Sequence, residues 1–372
     1  MKKQHILLAL VLMGLNSCLT EPKNSILVVG KYNENGEKGI EVFSLDETSG
    51  VLKKLADADA GPNPSYFCIS KKHGILYAAN EVMNFKGGQG GGITSLKMDV
   101  LNLEKLNEFA IPNGSPCFIS LSPAQDYLFL ANYTGGSIAV VKLDDKGIPA
   151  SISDTVSFMP IDEKNSHAHM ISFSPGGEFV YLTDLGLDRI MVFNFDSSTG
   201  KLQEFENSTV NQTPGAGPRH FVFNADASMM YVINELNSSI SVFEADTSGH
   251  LKGVQEVSTL ADGYPEKSFC ADIKIGKDGK YLYGSNRGEN TIVCFKIEKD
   301  GKLNLSGRVN CGGDWPRNFT FDPSGKFLFV GNQRSGNVSV FKLDDKTGVP
   351  IETGNSVEIS SPSCLKFFVE MR

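Results

Sequence analysis

The 372-residue sequence predicts an all-β protein, a seven-bladed β-propeller. A segment of about fifty residues recurs along the chain, and each copy contains an apolar hairpin that ends in a small polar residue. Each hairpin is followed by a third alternating run and a less apolar fourth segment, which makes the four strands of one blade. The terminal polar residues, at spacings of 52, 52, 50, 52 and 46 residues, are Asn80, Asn132, Asp184, Asn234, Asn286 and Asn332.

The local pattern within each copy is that of strands and turns. Apolar residues alternate with period two, as in GSIAVVKLD and GNVSVFKLD, and Pro-Gly, Asp-Gly and Ser-Gly pairs lie at the turns. No segment combines helical spacing with helix caps. We therefore expect no long helix after the N-terminus.

The two ends of the chain each carry half of a hairpin. NSILVVGKY near the start is a second strand without a first, and SPSCLKFF near the end is a first strand without a second. Together they complete a seventh blade. Pairing the two ends closes the ring and removes a free sheet edge, which otherwise invites association.

The extreme N-terminus has the pattern of an export signal. Lys2 and Lys3 precede an apolar stretch that is too short to span a bilayer, and Leu-Asn-Ser-Cys follows. This motif resembles the lipobox of bacterial lipoproteins, in which Cys18 is the lipidated residue. We therefore expect an exported protein, anchored by lipid to a bacterial membrane on its periplasmic or surface face. The expected divisions are a signal peptide at 1–17, a lipidated tether at 18–24 and the propeller at 25–372.

Composition limits the possible partners. The net charge of −8, with no basic cluster, argues against nucleic acid or an anionic membrane surface, so membrane contact is expected only through the lipid anchor. We expect a monomer that needs no cofactor. Six further cysteines sit mainly in apolar strands without paired spacing, so we interpret them as buried small hydrophobes: Cys68, Cys117, Cys270, Cys294, Cys311 and Cys364.

At two positions of the repeat, several copies carry a charged, imidazole or other chemically active side chain where other copies carry a small or apolar one. The first register, at the start of each first strand, contains Ser65, Cys117, His169, Arg219, Ala271, Arg317 and Ser363. The second register, directly after each second strand, contains Tyr32, Glu81, Tyr133, Leu185, Glu235, Arg287 and Gln333. In an antiparallel hairpin the start of one strand lies beside the end of the next, so both registers are expected around one central funnel.

Some of these positions predict function and others predict structure. A funnel mouth has no structural need for unlike charges in a ring, so we take His169, Arg219, Glu235 and Arg287 as the candidate catalytic residues. Arg317, His167, Glu81 and Gln333 are candidate substrate-binding residues, and no metal site is predicted. The Asn and Asp residues at the strand ends are instead expected to satisfy turn backbone groups.

Several motifs resemble the seven-bladed lactonase family, which includes the propeller-type 6-phosphogluconolactonases and, more distantly, the fungal carboxymuconate lactonizing enzymes. They are GPRHFVFN at 217–224, VINELNSSISVF at 232–243 and the segments around Arg287 and Arg317. The resemblance implies a site made of His169, Arg219, Glu235 and Arg287. Two features depart from the family: Lys274 stands where a histidine is common, and the chain carries an export signal although phosphogluconolactone is a cytoplasmic metabolite.

Opening a lactone requires a base for the attacking water and a group that receives charge on the carbonyl oxygen. Glu235 is the expected base, with His169 as its rival. Arginine stays protonated, so Arg219 and Arg287 suit the oxyanion and an anionic group of the substrate, and Arg317 is a third cation. The expected substrate is therefore a small anionic sugar-acid lactone.

Three other functions remain open at this level. The same residues could add a carboxylate of a muconate-like diacid across a double bond, as a lactonizing cycloisomerase. An exported propeller could also be a non-catalytic module that binds a ligand or protein, which predicts an exposed aromatic patch. A metal-dependent lactonase would use Glu81, Glu235 and Asp272 as oxygen ligands.

Overall fold

A computed structural model describes residues 25–33, 37–99, 103–205 and 208–369. The expected signal peptide, Cys18 and the tether lie outside these residues. All regular elements in the described ranges are β-strands, and none of these residues belongs to a helix that could cross a membrane. The prediction of an all-β protein is therefore confirmed.

The strands follow one another in a regular repeat. In chain order they are β1 (Ser25–Lys31), β2 (Ile40–Leu45), β3 (Leu52–Ala58), β4 (Pro64–Ser70), β5 (Ile75–Asn80), β6 (Asn84–Phe85), β7 (Gly88–Gln89), β8 (Gly91–Lys97), β9 (Glu104–Ile111), β10 (Pro116–Leu121), β11 (Tyr127–Asn132), β12 (Ser137–Leu143), β13 (Pro149–Ser157), β14 (Ala168–Phe173), β15 (Phe179–Asp184), β16 (Arg189–Asp196), β17 (Lys201–Glu204), β18 (Val210–Asn211), β19 (Pro218–Phe223), β20 (Met229–Asn234), β21 (Ser239–Ala245), β22 (Leu251–Ser258), β23 (Phe269–Ile275), β24 (Tyr281–Arg287), β25 (Thr291–Ile297), β26 (Leu303–Asn310), β27 (Pro316–Phe321), β28 (Phe327–Asn332), β29 (Asn337–Leu343), β30 (Pro350–Glu358) and β31 (Pro362–Val369).

These strands form seven antiparallel blades. Blades one to six begin with β4, β10, β14, β19, β23 and β27, and each continues through the following strands of its copy. The short pair β6 and β7 projects from the first blade, and β18 pairs with β16 beside β17. First strands of neighbouring blades contact one another, so they surround the centre of the ring.

The seventh blade joins the two ends of the chain. Its strand order is β31, β1, β2 and β3, and β1 is antiparallel to both of its neighbours. Val29 of β1 pairs with Leu365 of β31, and both side chains pack in one buried cluster with Phe329 of the sixth blade. The predicted closure of the ring is confirmed.

A repeated hydrogen bond links consecutive blades. In four blades a buried tyrosine of the second strand donates its hydroxyl hydrogen to a glycine carbonyl in the next blade. The glycines lie in turns with φ between 70° and 85°, which favour glycine. The pairs are Tyr77 with Gly147 at 2.6 Å, Tyr181 with Gly249 at 3.0 Å, Tyr231 with Gly301 at 2.9 Å and Tyr283 with Gly348 at 2.7 Å.

The polar residues that end the second strands hold the loops next to them. Asn80 Nδ2 donates to the carbonyl oxygens of Ala60 and Pro62 at 2.7 and 2.9 Å. Asp184 Oδ1 accepts from the backbone N–H groups of His167 and Leu187 at 2.9 and 3.2 Å. Asn80 and Asp184 therefore bind turn backbone groups, as expected of them. The six cysteines of the propeller are buried and free, also as expected.

Closure of the ring predicts a specific loss of stability. Leu365→Ala should lower the free energy of unfolding by about 2–5 kcal/mol, because it leaves a cavity between the seventh and sixth blades. Ile351→Ala, which truncates a side chain that is 52% exposed, should change it by less than about 0.5 kcal/mol. Urea denaturation of both variants measures the difference, and equal effects would contradict this account of closure.

Candidate active site

The first register coincides with a β-bulge in every blade. Pro116 pairs with Asn132 and Phe118 with Ala131, so Cys117 is left without a partner in the ladder. The pairing skips the corresponding residue in each other blade: Ser65, His169, Arg219, Ala271 (together with Asp272), Arg317 and Ser363. A bulge bends the strand and redirects its side chain. The fold therefore gives these residues a direction that simple alternation does not provide.

Most of the chemically active register positions meet in one cavity of about 180 Å³. Its walls are Tyr32, Glu81, Cys117, Tyr133, His169, Arg219, Glu235, Arg287 and Arg317. All four residues proposed as catalytic are among them, as are two of the four proposed for substrate binding. Three guanidinium groups thus face two carboxylates, with one positive charge in excess.

His167 and Gln333 do not line this cavity. Strand β14 begins at Ala168 and bulges at His169, so His167 does not share the direction of His169 by two-residue alternation. Its ring instead stacks on Tyr133 at a centroid distance of 4.5 Å. The backbone N–H of Gln333 donates to the Trp315 carbonyl oxygen at 2.9 Å.

Glu235 joins two of the arginines. Arg219 Nε and Arg287 Nη2 contact the same oxygen, Glu235 Oε2, at 2.9 and 2.8 Å. Arg219 Nη1 also donates to the Ala271 carbonyl oxygen, and the Arg287 guanidinium lies 5.3 Å from the centre of the Trp315 ring. Burial raises the pKa of Glu235, but Arg287, Arg219 and Arg317 outweigh it and hold the pKa below its ordinary value. The carboxylate is therefore ionised at neutral pH.

The third arginine belongs to a second hydrogen-bonded group. Arg317 Nη2 donates to the Tyr32 hydroxyl at 2.7 Å, and that hydroxyl donates to Glu81 Oε2 at 2.5 Å. The guanidinium is 3.9 Å from Glu81 itself. Only one of its terminal nitrogens takes part in these contacts, so Arg317 keeps donors that a ligand can use.

His169 stands between these two groups as a neutral ring. It is 4% exposed, and its ring centroid lies 5.1 Å from that of His220 and 5.7 Å from that of Tyr133. Burial, followed by the charge of Arg219, holds the pKa of His169 well below its usual value. Its Nδ1 is buried without a hydrogen-bond partner among the described residues.

Three wall residues were not singled out from the sequence. Tyr32, Tyr133 and Cys117 occupy the two registers, but residue type alone did not distinguish them from register positions without a predicted function. Burial raises the pKa of the Cys117 thiol, so it stays protonated and is a poor nucleophile. The registers themselves were the signal that identifies all three.

The three carboxylates considered as metal ligands lie in separate groups. Glu235 contacts two arginines, Glu81 accepts from Tyr32, and Asp272 lies among His220, Lys274 and Asn318. In the part of the chain that the structure describes, no three His, Cys, Asp or Glu side chains are arranged to hold a metal ion. The donor set of the cavity suits an anion instead.

Two larger clefts lie near the turns between first and second strands, at the opposite ends of these strands. Their volumes are about 510 and 410 Å³. Glu178, Asp226 and Asp246 line the first cleft, and Lys277, Lys280 and Lys326 contribute to the second. Neither contains a histidine or an arginine. The smaller central cavity is therefore the candidate active site.

The chain is similar to known proteins along nearly all of its length. Residues 26–367 match the family model described as "Lactonase, 7-bladed beta-propeller". The 6-phosphogluconolactonase of Bacillus subtilis is 31% identical over 347 residues, which are 91% of this chain and 97% of the relative. The 6-phosphogluconolactonase of Formosa agariphila is 32% identical and covers 92% of this chain and 99% of its own length.

The solved structures include a periplasmic relative. The periplasmic gluconolactonase PpgL of Pseudomonas aeruginosa superposes with a TM-score of 0.86 and 32% identity. The match covers 94% of this chain and all of that one. The chain therefore belongs to the family of seven-bladed β-propeller lactonases.

Proposed function

We propose that this protein is a lactonase that hydrolyses a small sugar-acid lactone in the central cavity. The observation that carries the proposal is the grouping of three guanidinium groups, two carboxylates and a neutral histidine around about 180 Å³. The names of its relatives, 6-phosphogluconolactonase and gluconolactonase, support the same reaction class. The excess positive charge favours a substrate or transition state that carries negative charge.

Glu235 is the proposed general base. Both arginine contacts fall on Oε2, so Oε1 is the oxygen that we assign to the attacking water. The lowered pKa makes Glu235 a weak base, but it guarantees the ionised form at neutral pH. His169 is neutral and is the rival for this role, although its own low pKa also limits its basicity.

The arginines are proposed to divide the negative charge between them. As water adds to the lactone carbonyl, the oxyanion forms beside Arg219 and Arg287, which Glu235 and backbone carbonyls already hold in place. Fixed donors of this kind need little reorganisation when the charge develops. Arg317, with its unused donors, is proposed to bind the anionic substituent of the substrate. Collapse of the intermediate then expels the ring oxygen, which takes up the proton that Glu235 removed from the attacking water and so completes hydrolysis.

The alternative of a binding module lacks its expected surface. Within the described ranges the most exposed large apolar side chains are aliphatic, among them Met83, Met159, Ile161 and Leu236, and none is aromatic. The cavity instead concentrates unlike charges at the centre of the ring. This distribution supports a catalytic site over a binding rim.

The activity prediction compares a substrate panel with three variants. Wild-type protein should hydrolyse plain or phosphorylated aldonolactones without turning over muconates, and a chelator should leave the rate unchanged. Arg219→Ala and Glu235→Gln should lower kcat/KM by about 10²–10³-fold, because each removes a charge placed at the reacting group. Glu244→Gln, on an exposed carboxylate paired with Lys252, is the control and should keep full activity.

Each other outcome of this panel identifies a different error. Turnover of muconates alone would replace hydrolysis by lactonization. Loss of activity with a chelator would mean that the arginines are misassigned. Wild-type rates in Arg219→Ala would remove that residue from the site.

The buried histidine at the site predicts how stability depends on pH. The pKa of His169 is lower in the folded protein than in the unfolded chain. The contribution of the neutral His169 ring to the free energy of unfolding is therefore complete above about pH 6.5 and is lost as the pH falls below that value. In His169→Phe, the free energy of unfolding should therefore fall less steeply below about pH 6, by up to about 1.4 kcal/mol per pH unit.

Urea denaturation at several pH values measures these slopes. Tyr231→Phe removes a buried hydrogen bond between the fourth and fifth blades and should lower stability without changing the slope. Equal slopes for wild type and His169→Phe would contradict a neutral buried ring at this position.

The proposal includes export and a lipid anchor at Cys18, with substrate reached outside the cytoplasm. The name of the Pseudomonas relative, a periplasmic enzyme, supports this setting. Cys18→Ser should move the protein from the membrane fraction to the soluble fraction, as shown by immunoblotting. Retention of the variant in washed membranes would argue against the anchor.

A further inference from the structure

A layer of buried side chains lies directly beneath the cavity. It is formed by residues that follow the first register by one position. Tyr66 stacks on Phe118 with their ring centroids 4.3 Å apart. The His220 ring lies edge-on to both, with centroid distances of 5.9 Å to Tyr66 and 5.5 Å to Phe118. Asp272 and Asn318 occupy the corresponding positions of the next two blades. The proposed reaction uses none of these side chains.

Asp272 is the centre of a hydrogen-bonded network in this layer. The residue is only 2% exposed, and its Oδ1 lies 2.9 Å from His220 Nδ1. Its Oδ2 accepts from Lys274 Nζ at 2.6 Å and from Asn318 Nδ2 at 2.7 Å. Lys274 thereby supplies the countercharge of the buried carboxylate. Burial raises the pKa of Asp272, but Lys274 and His220 outweigh it and hold the group ionised.

The contacts of His220 determine which nitrogen carries its proton. Arg219 Nη1 lies 3.2 Å from His220 Nε2 and 3.5 Å from His220 Nδ1, while the Asp272 carboxylate, which can only accept, lies 2.9 Å from Nδ1. Nε2 is therefore the nitrogen left to accept from the guanidinium. The proton of the neutral ring is then on Nδ1, from which it is donated to Asp272. Burial, followed by the charge of Arg219, lowers the pKa of His220 to about 3, which keeps the ring neutral.

This arrangement accounts for three of the five donor hydrogens of Arg219. Nε donates to Glu235, and the two hydrogens of Nη1 are directed to the Ala271 carbonyl oxygen and to His220 Nε2. The planar fork is held by acceptors on different blades, while Nη2 has none of these contacts. Nη2 is thus the nitrogen of Arg219 that remains for substrate.

We propose that Asp272 and His220 are positioning residues, which fix the Arg219 guanidinium so that Nη2 meets the developing oxyanion. This inference rests on the proposed lactonase function. Asp272 holds His220 in the tautomer that accepts at Nε2. With the proton on Nε2, or on both nitrogens, two donors would face each other at Arg219 and the alignment would be lost. Misalignment of an oxyanion donor raises the barrier of the chemical step more than it weakens substrate binding.

The kinetic test separates positioning from folding. His220→Phe keeps a ring in the layer but has no acceptor, so kcat should fall by about 10–100-fold while KM changes by less than about threefold. His220→Gln restores an acceptor and a donor and should recover part of kcat. Tyr231→Phe, a remote variant that also loses a buried hydrogen bond, should keep the wild-type kcat.

A double-mutant cycle tests whether His220 acts through Arg219. If it does, Arg219→Ala combined with His220→Phe should be about as slow as Arg219→Ala alone, since the group being positioned is already absent. Multiplied losses in the double variant, or an unchanged kcat in His220→Phe, would overturn the proposal.

A measurement without substrate distinguishes failure of this inference from failure of the proposed function. Long-range ¹H–¹⁵N correlation spectra of the histidine side chains identify the tautomer of each ring. The wild type should show a neutral Nδ1–H ring down to about pH 5 whose signals are absent in His220→Gln. An Nε2–H or a doubly protonated ring at His220 would refute the network even if lactones are hydrolysed.

Discussion

Pairing of the first and last strands in one blade is the constraint on which the site depends. Because β31 and β1 share a sheet, the ring is closed and the two ends of the chain reach the same funnel. The hydrogen bond from Arg317 to Tyr32 joins residues 285 positions apart, and it exists only in the closed ring. The tyrosine-to-glycine bonds between blades and the apolar cluster around Leu365 keep the neighbouring sheets together.

Within that ring, each buried charge lies beside a group of opposite charge. Glu235 lies between Arg219 and Arg287, Glu81 and Tyr32 accompany Arg317, and beneath them Asp272 is matched by Lys274. Burying charges is unfavourable unless partners and hydrogen bonds are in place. The same arrangement supplies fixed donors around a small space, which is the property that stabilisation of an oxyanion requires.

The repeat in the sequence identified the residues that line the central cavity, although not the details of their contacts. Its constant period identified two registers, and the cavity wall is drawn entirely from them. Alternation along a strand, however, suggested that His167 shares the direction of His169, and the bulge at His169 removes that relation. Tyr32, Tyr133 and Cys117 lie in the same registers, but a phenol or a thiol in an apolar strand does not by itself indicate a site as a charged side chain or an imidazole does.

The sequence by itself determined the number of blades, their strand order, the closure of the ring and the end of the strands at which the charged residues gather. These follow from period-two patterning and turn residues, which act over a few positions of the chain. Only the tertiary structure decided that Arg219 and Arg287 share one oxygen of Glu235, and that His220 accepts from Arg219. Such contacts depend on bulges and on side chains from different blades, and their geometry is a property of packing that no local pattern encodes.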